Sequence, residues 1–139
     1  MEQRISLVTF GVDDLARARA FYEDGLGWTP AAAQDGVCFY QLNGIGLSLF
    51  GRSDLEEDAR HPIDGTFSGV TIALNERSVE EVDAVFAQAE AAGARILKAP
   101  ERVFWGGYSG YFADLDGHVW EVAYNPSWEI ADDGSIAIA

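Results

Sequence analysis

One carboxylate has the type and the surroundings to do chemistry. Glu121 sits in Val119-Trp120-Glu121-Val122-Ala123-Tyr124, where strand alternation sends Val119, Glu121 and Ala123 to one face and Trp120, Val122 and Tyr124 to the other. The second face is apolar or aromatic throughout and belongs against a core. That leaves Glu121 as the one charge on an otherwise apolar face. Such a group can act as a general base, anchor a ligand amine, or simply be tolerated through a hydrogen bond to Thr9, Thr71 or Ser48. Those three hydroxyls fall on inward strand positions and are candidate ligand-binding residues, although strand propensity alone also places threonine there. Trp105-Gly106-Gly107-Tyr108 adds an aromatic loop. Its glycines let the backbone approach a ligand closely, and Trp105 or Tyr108 can stack on it; the alternative is that both pack as core. No helix follows the Gly-Gly pair and no lysine accompanies it, so it is not a phosphate cradle.

Metal and thiol chemistry have few residues to draw on. The chain has two histidines, His61 and His118. His118 and Glu121 are three apart in a strand and project from opposite faces, so they cannot share one ion without a bulge. His118 is better placed to complete a turn, and His61 to lie in a solvated linker. Cys38 is the single cysteine, which rules out an internal disulfide and a Cys-rich metal site. With no basic neighbour in sequence to activate it, it reads as a buried structural thiol.

The elements that position these residues follow from periodicity. Residues 5–12 alternate as a strand, and Asp13 or Asp14 caps a helix marked by Leu15, Ala18, Phe21 and Tyr22 and ended by Gly25 or Gly27. Extended segments follow at about 28–33, 37–42 and 45–50, separated by the turn pairs Asp35-Gly36 and Asn43-Gly44. Residues 51–67 have no periodic apolar face and read as a linker. Residues 69–75 then alternate again, and Ser78 with Glu81 resembles a capping box for a helix buried through Val79, Val82, Val85, Phe86 and Ala89. A strand at 94–98, a loop at 100–107, and a hairpin over Tyr108–Ala113 and His118–Tyr124 complete the second half, with Asp114-Leu115-Asp116-Gly117 as its turn. Asn125-Pro126 stops that strand, and a small hairpin around Asp132-Asp133-Gly134 is expected in the tail. The order is βαβββ twice. If each helix covers one face of its sheet, the other faces carry Leu7, Thr9, Gly46, Ser48, Gly69, Thr71, Glu121 and Ala123, and residues that small leave room for a cavity. Alternation does not decide whether Phe39 or Tyr40 faces it.

Whole-chain properties bound the function. The 139 residues suit one domain, here module one (about 4–51), a linker (about 52–67), module two (about 68–126) and a tail (127–139). A net charge of −14, from 23 acidic and 9 basic residues, disfavours nucleic-acid binding and would draw in a cationic ligand. Apolar runs are too short to cross a membrane, and the start lacks a signal peptide's basic and apolar segments. A soluble, cytoplasmic protein is expected.

Gly-Val-Asp-Asp-Leu-Ala-Arg-Ala-Arg-Ala-Phe-Tyr-Glu early and Tyr-Phe-Ala-Asp-Leu-Asp-Gly-His-Val-Trp-Glu late resemble the vicinal oxygen chelate superfamily. Its members include glyoxalase I, bleomycin-resistance proteins, fosfomycin-resistance enzymes and extradiol dioxygenases. The resemblance spans roughly residues 4–126 and implies an α+β fold of two βαβββ modules whose curved mixed sheets enclose a cavity. It also implies that metal ligands, where a member has them, fall here on Leu7, Ser48, Gly69 and Glu121. Only Glu121 is a ligand of the usual kind, and one carboxylate cannot hold an ion that wants a near-octahedral set of oxygen and nitrogen donors. The expectation is therefore a small-molecule-binding protein without metal or other cofactor. The ligand-binding residues would be Thr9, Ser48, Thr71, Trp105 and Tyr108, with Glu121 as the candidate catalytic group. The alternative is a glyoxalase-related lyase or isomerase, either metal-free with Glu121 as base or metal-dependent through an atypical site. A homodimer is expected from the resemblance.

Overall fold

A computed structural model describes every residue of the chain except Glu2, Arg4, Ile5, Thr66, Gly69 and Ala139. Two of these, Ile5 and Gly69, were expected to open the first strand of each module, and Gly69 also holds a position in the metal pattern; both lie outside the described residues. The chain divides into two units, Met1–Thr66 and Phe67–Ala139. Each contains one four-stranded mixed sheet, so the fold is α+β.

In the first unit β1 (Leu7–Val12) leads into α1 (Leu15–Ala20), followed by β2 (Ala32–Gln34), β3 (Val37–Gln41) and β4 (Gly46–Gly51). The sheet order is β1-β4-β3-β2, with β1 parallel to β4 and the other pairs antiparallel. Asp14 caps α1 by accepting a hydrogen bond from the Arg17 amide at 3.0 Å, satisfying one of the donors a helix start leaves free. The helix then widens into a π-helical turn over Phe21–Gly25, which brings the adjacent Phe21 and Tyr22 into the core together. They pack on the sheet face carrying Phe10, Val12, Cys38, Tyr40, Leu47 and Leu49, all buried. Tyr22, Trp28 and Tyr40 form an aromatic cluster with ring centroids 5.2 to 6.2 Å apart. Tyr40 therefore faces the helix. Phe39, which pairs with Ser48, takes the opposite face.

A polar network edges this core. Glu23 accepts from Arg19 at 2.7 and 3.2 Å and from the Tyr40 hydroxyl at 3.1 Å, and Cys38 is buried with its sulfur 3.8 Å from the same carboxylate. The Arg19 hydrogen bond is the main reason the Glu23 carboxyl is held below the usual carboxylate range; burial opposes it, and Tyr40 assists. A depressed folded-state value means stability that is present above the unfolded Glu pKa of about 4.3 and is lost as pH falls through the folded value. Glu23→Gln should therefore lower the melting temperature at pH 7 and by progressively less towards pH 3. A gap between variant and parent that is constant with pH would assign the loss to packing instead.

The stretch read as a structureless linker contains α2 (Arg52–Ala59). It was illegible because no apolar stripe marks it: Leu55 is the one large apolar residue it turns towards β1, and side-chain bonds to Ile63 add to that contact. Glu56 accepts from the Ile63 amide at 2.7 Å, and Arg52 donates to the Ile63 carbonyl at 2.6 Å. Gly11 makes room for this return, since a Cβ there would stand 2.8 Å from Ile63 Cδ1 and 3.1 Å from Leu55 Cδ2.

The second unit repeats the topology with β5 (Thr71–Glu76), α3 (Val79–Ala91), β6 (Arg95–Arg102), β7 (Tyr108–Ala113) and β8 (Val119–Tyr124), in the order β5-β8-β7-β6 with β5 parallel to β8. Ser78 caps α3 by accepting from the Glu81 amide at 3.1 Å, while Glu81 accepts from Arg77 N at 2.7 Å, one residue before the cap. Val82, Phe86 and Ala89 bury the helix on the face of Phe112, Trp120 and Val122. There Phe86 meets Phe112 edge-on at 5.9 Å, and Phe112 stacks on Trp120 at 6.5 Å. β6 runs past the expected end at Lys98 and through Pro100, because the ladder shifts register between Ile96 and Lys98 and again between Lys98 and Glu101. In the hairpin turn, Asp114 Oδ1 accepts from the amides of Asp116 (3.0 Å) and His118 (2.8 Å), and His118 Nδ1 lies 2.9 Å from Asp114 Oδ2. His118 thus belongs to the turn. The tail forms the expected hairpin from β9 (Glu129–Ile130) and β10 (Ile136–Ala137). No helix among the described residues is long and apolar enough to cross a membrane.

Candidate functional site

Strand register assembles the site in the second unit. Partners across a sheet point to the same face, and the pairs Ala73↔Glu121, Tyr111↔Glu121 and Lys98↔Tyr111 put Ala73, Glu121, Tyr111 and Lys98 in one row across all four strands. The neighbouring row carries Asn75, Ala123, Ser109 and Glu101. This face lies opposite α3, and a pocket of about 340 Å³ opens over it, lined by Lys98, Glu101, Trp105, Ser109, Tyr111 and Glu121 among others. Its volume is at the lower end of small-molecule sites.

Electrostatics divide the pocket into two ends. Burial first, then the Glu121 charge and hydrogen bonding to that carboxylate, raise the Tyr111 phenol above its ordinary value, which keeps it a neutral donor beside an acceptor. At the other end Lys98 Nζ lies 3.2 Å from Glu101 Oε1. The wall is aromatic. The tight loop after β6 closes through Val103 N to Gly107 O (3.1 Å) and Gly106 N to Val103 O (3.0 Å), with Gly106 at φ +89. It folds the Trp105 ring onto the Gly107 backbone, where any Cβ would overlap the ring.

The expected site residues separate into groups. Glu121 and Trp105 come together in this pocket. Thr71 shares their face, one ladder step away beside Val119, but does not line the pocket. Tyr108, expected to accompany Trp105, is turned to the helix side, where its hydroxyl donates to Asp83 Oδ1 at 2.8 Å. Alternation forces this, since Tyr108 and Tyr111 are three apart in one strand. In the first unit Thr9 and Ser48 are paired across β1 and β4, with their hydroxyls hydrogen-bonded at 2.7 Å and Ser48 fully buried. Each hydroxyl thus has a partner within its own sheet. Seven of the nine lining residues went unnoticed in the sequence, Tyr111 and Lys98 among them. Tyr111 could have been found by counting equal steps from a five-residue turn, Asp114–His118, whereas the four-residue turn expected there pairs it with Trp120. Lys98 could not, because the register shifts in β6 break the count.

The metal positions implied by the resemblance do not make a donor set. Leu7 offers no side-chain donor, and its Cδ1 leans over Gly46, 2.8 Å from where a Cβ would stand. Ser48 is engaged by Thr9, and Glu121 lies beside Tyr111. Among the described residues no three His, Cys, Asp or Glu side chains are grouped to hold an ion. These residues do not fit a divalent metal, which wants several oxygen or nitrogen ligands at once.

The repeated βαβββ topology defines a fold class rather than one activity. The chain belongs to the Glyoxalase/Bleomycin resistance protein/Dioxygenase superfamily, whose family model matches residues 4–122. The crystal structure of a glyoxalase-related enzyme from Fulvimarina pelagi is similar over 99% of both chains, with 36% identity and a TM-score of 0.93. A lactoylglutathione lyase structure from Agrobacterium tumefaciens is similar over 89% of this chain and 95% of its own, with 25% identity and a TM-score of 0.69. Among curated proteins, metallothiol transferase FosB of Shouchella clausii is 28% identical over 123 residues, 88% of this chain and 80% of the relative.

Proposed function

We propose that this chain is a small-molecule-binding protein of the glyoxalase/bleomycin-resistance type, with its ligand in the pocket over Glu121 and without a complete set of metal ligands. The observation that carries this reading is the row of Glu121, Tyr111 and Lys98 beneath the Trp105 wall, a few polar groups converging in a concave aromatic site. A fragment panel read by melting temperature tests it. Binders should raise the melting temperature saturably, and Trp105→Ala should abolish the rise. A panel that leaves the melting temperature unchanged contradicts the reading.

A second reading, a lyase or isomerase, is favoured by the Tyr111–Glu121 pairing and by the similarity to a glyoxalase-related enzyme. Glu121 would take a proton from a carbon next to a carbonyl, the C–H electron pair would pass into an enolate, and Tyr111 would keep the carboxylate oriented. Return of a proton to the opposite face of the same carbon gives the epimer. The metallothiol transferase relatives motivate a metal-dependent version with an atypical site. Elemental analysis of protein purified without chelator separates the two, since a stoichiometric transition ion would overturn the metal-free assignment. The cytoplasm and a homodimeric state complete the proposal, and a monomer by light scattering at micromolar concentration would refute the latter.

A further inference from the structure

The pocket over Glu121 is lined by the only lysine in the chain. Lys98 heads the row that runs through Tyr111 to Glu121, so two strand spacings, about 10 Å, separate its Cα from that of Glu121. The same strand, β6, carries Arg95 and Arg102, so eight residues hold three of the nine basic groups in a chain of net charge −14. A ligand inside a pocket responds mainly to the nearest charges, because more distant ones are screened by salt and solvent. The acidity of the whole chain points to a cation, but the pocket's own charges are balanced, Lys98 and Arg102 against Glu101 and Glu121, so an anion can be held at the basic end. Lys98 is paired with Glu101 at 3.2 Å, but the two side chains remain 42% and 63% exposed. Such a pair contributes little, so a ligand carboxylate can replace Glu101 at the ammonium without a large penalty. At the opposite end the Glu121 carboxylate repels a second anion and accepts from a donor, with the Tyr111 hydroxyl beside it. Tyr111 lies between the two ends, and the Trp105 ring, which folds onto the Gly107 backbone and lines the same pocket, offers a stacking surface beside the row.

Building on the binding reading above, we propose that this pocket takes a planar organic acid: its carboxylate at Lys98, its ring against Trp105, and a hydroxyl or similar donor at its far end on Glu121. One six-membered ring with para substituents spans this distance once both side chains lean inward.

Because there is one lysine, its ε-methylene group gives one NMR signal that needs no assignment. Titration with 4-hydroxybenzoate should move that signal saturably. 4-Hydroxybenzamide, of nearly the same shape but without the charge, should bind about threefold to fivefold more weakly, and Lys98→Met should erase the acid's advantage over the amide. If 4-hydroxybenzylamine perturbs the same signal and binds as tightly as the acid, the organic-acid class is overturned while the pocket stands as a ligand site. If none of the three probes moves the Lys98 and Trp105 signals at millimolar concentration, the binding reading falls, and the organic-acid class with it.

Discussion

Gly110→Ala should destabilise the second unit by roughly 2–4 kcal/mol and lower its melting temperature by about 10 °C or more. A Cβ at Gly110 would stand 2.6 Å from the Lys98 carbonyl oxygen, 2.8 Å from the Pro100 nitrogen and 2.7 Å from Phe86 Cζ. Two of these are backbone atoms at the register shifts of β6, and the third belongs to the ring that α3 presses onto Phe112. Rotamer changes cannot clear them, and Gly110 is not among the glycines at positive φ, so the cost is one of space rather than backbone conformation. The expected damage reaches the site. Pushing β6 outward moves Lys98 off the row it shares with Tyr111, so any ligand response should weaken along with stability. Thermal unfolding followed by circular dichroism measures the effect, and a melting temperature within 2 °C of the parent would show that the β6 bulge yields freely.

Glu121→Gln should have the largest effect on function and almost none on the fold. The side chain is half-buried on the pocket face, away from the Phe86, Phe112 and Trp120 core, and the amide is nearly isosteric with the carboxylate. A melting temperature within about 2 °C of the parent is expected. Binding of a ligand that donates to the carboxylate should weaken at least tenfold, because a charged acceptor is replaced by a neutral one. Under the catalytic reading turnover should fall by about 10² to 10⁴, the usual contribution of a positioned base. Tyr111→Phe separates the roles. If Tyr111 acts only by orienting Glu121, the double variant should lose no more than Glu121→Gln alone. Full binding and turnover in Glu121→Gln would remove Glu121 from the site.

The fold was legible because its signals are local and repeat. Asp14 and Ser78 mark helix starts through side-chain caps, and Asp35-Gly36, Asn43-Gly44 and Asp114 to Gly117 place turns whose glycines sit at φ +84, +78 and +87. Alternation then separates Glu121 from Trp120 correctly. Two kinds of feature escaped. α2 has no apolar stripe, and what holds it, the packing of Leu55 beside Gly11 and the bonds of Arg52 and Glu56 to Ile63, is a tertiary arrangement that no periodicity announces. The pocket depends on register across β6, β7 and β8, and the shifts around Lys98 hide the partner of Tyr111 from any count along the chain. Tyr108 was drawn towards the ligand by its proximity in sequence to Trp105, but strand alternation delivers it to Asp83 on α3. Glu121 began as the surviving member of a metal pattern. Its observed neighbours, Tyr111 across the ladder and Lys98 one strand further, make it the acceptor end of a polar row.

The occupant of that row is best determined by a crystal structure of protein purified without chelator and soaked with 4-hydroxybenzoate, with anomalous data collected at transition-metal edges. Density for the planar acid between Lys98 and Glu121, with no anomalous peak at the carboxylate, is the predicted result. An anomalous peak bonded to Glu121 and completed by further protein ligands would contradict it.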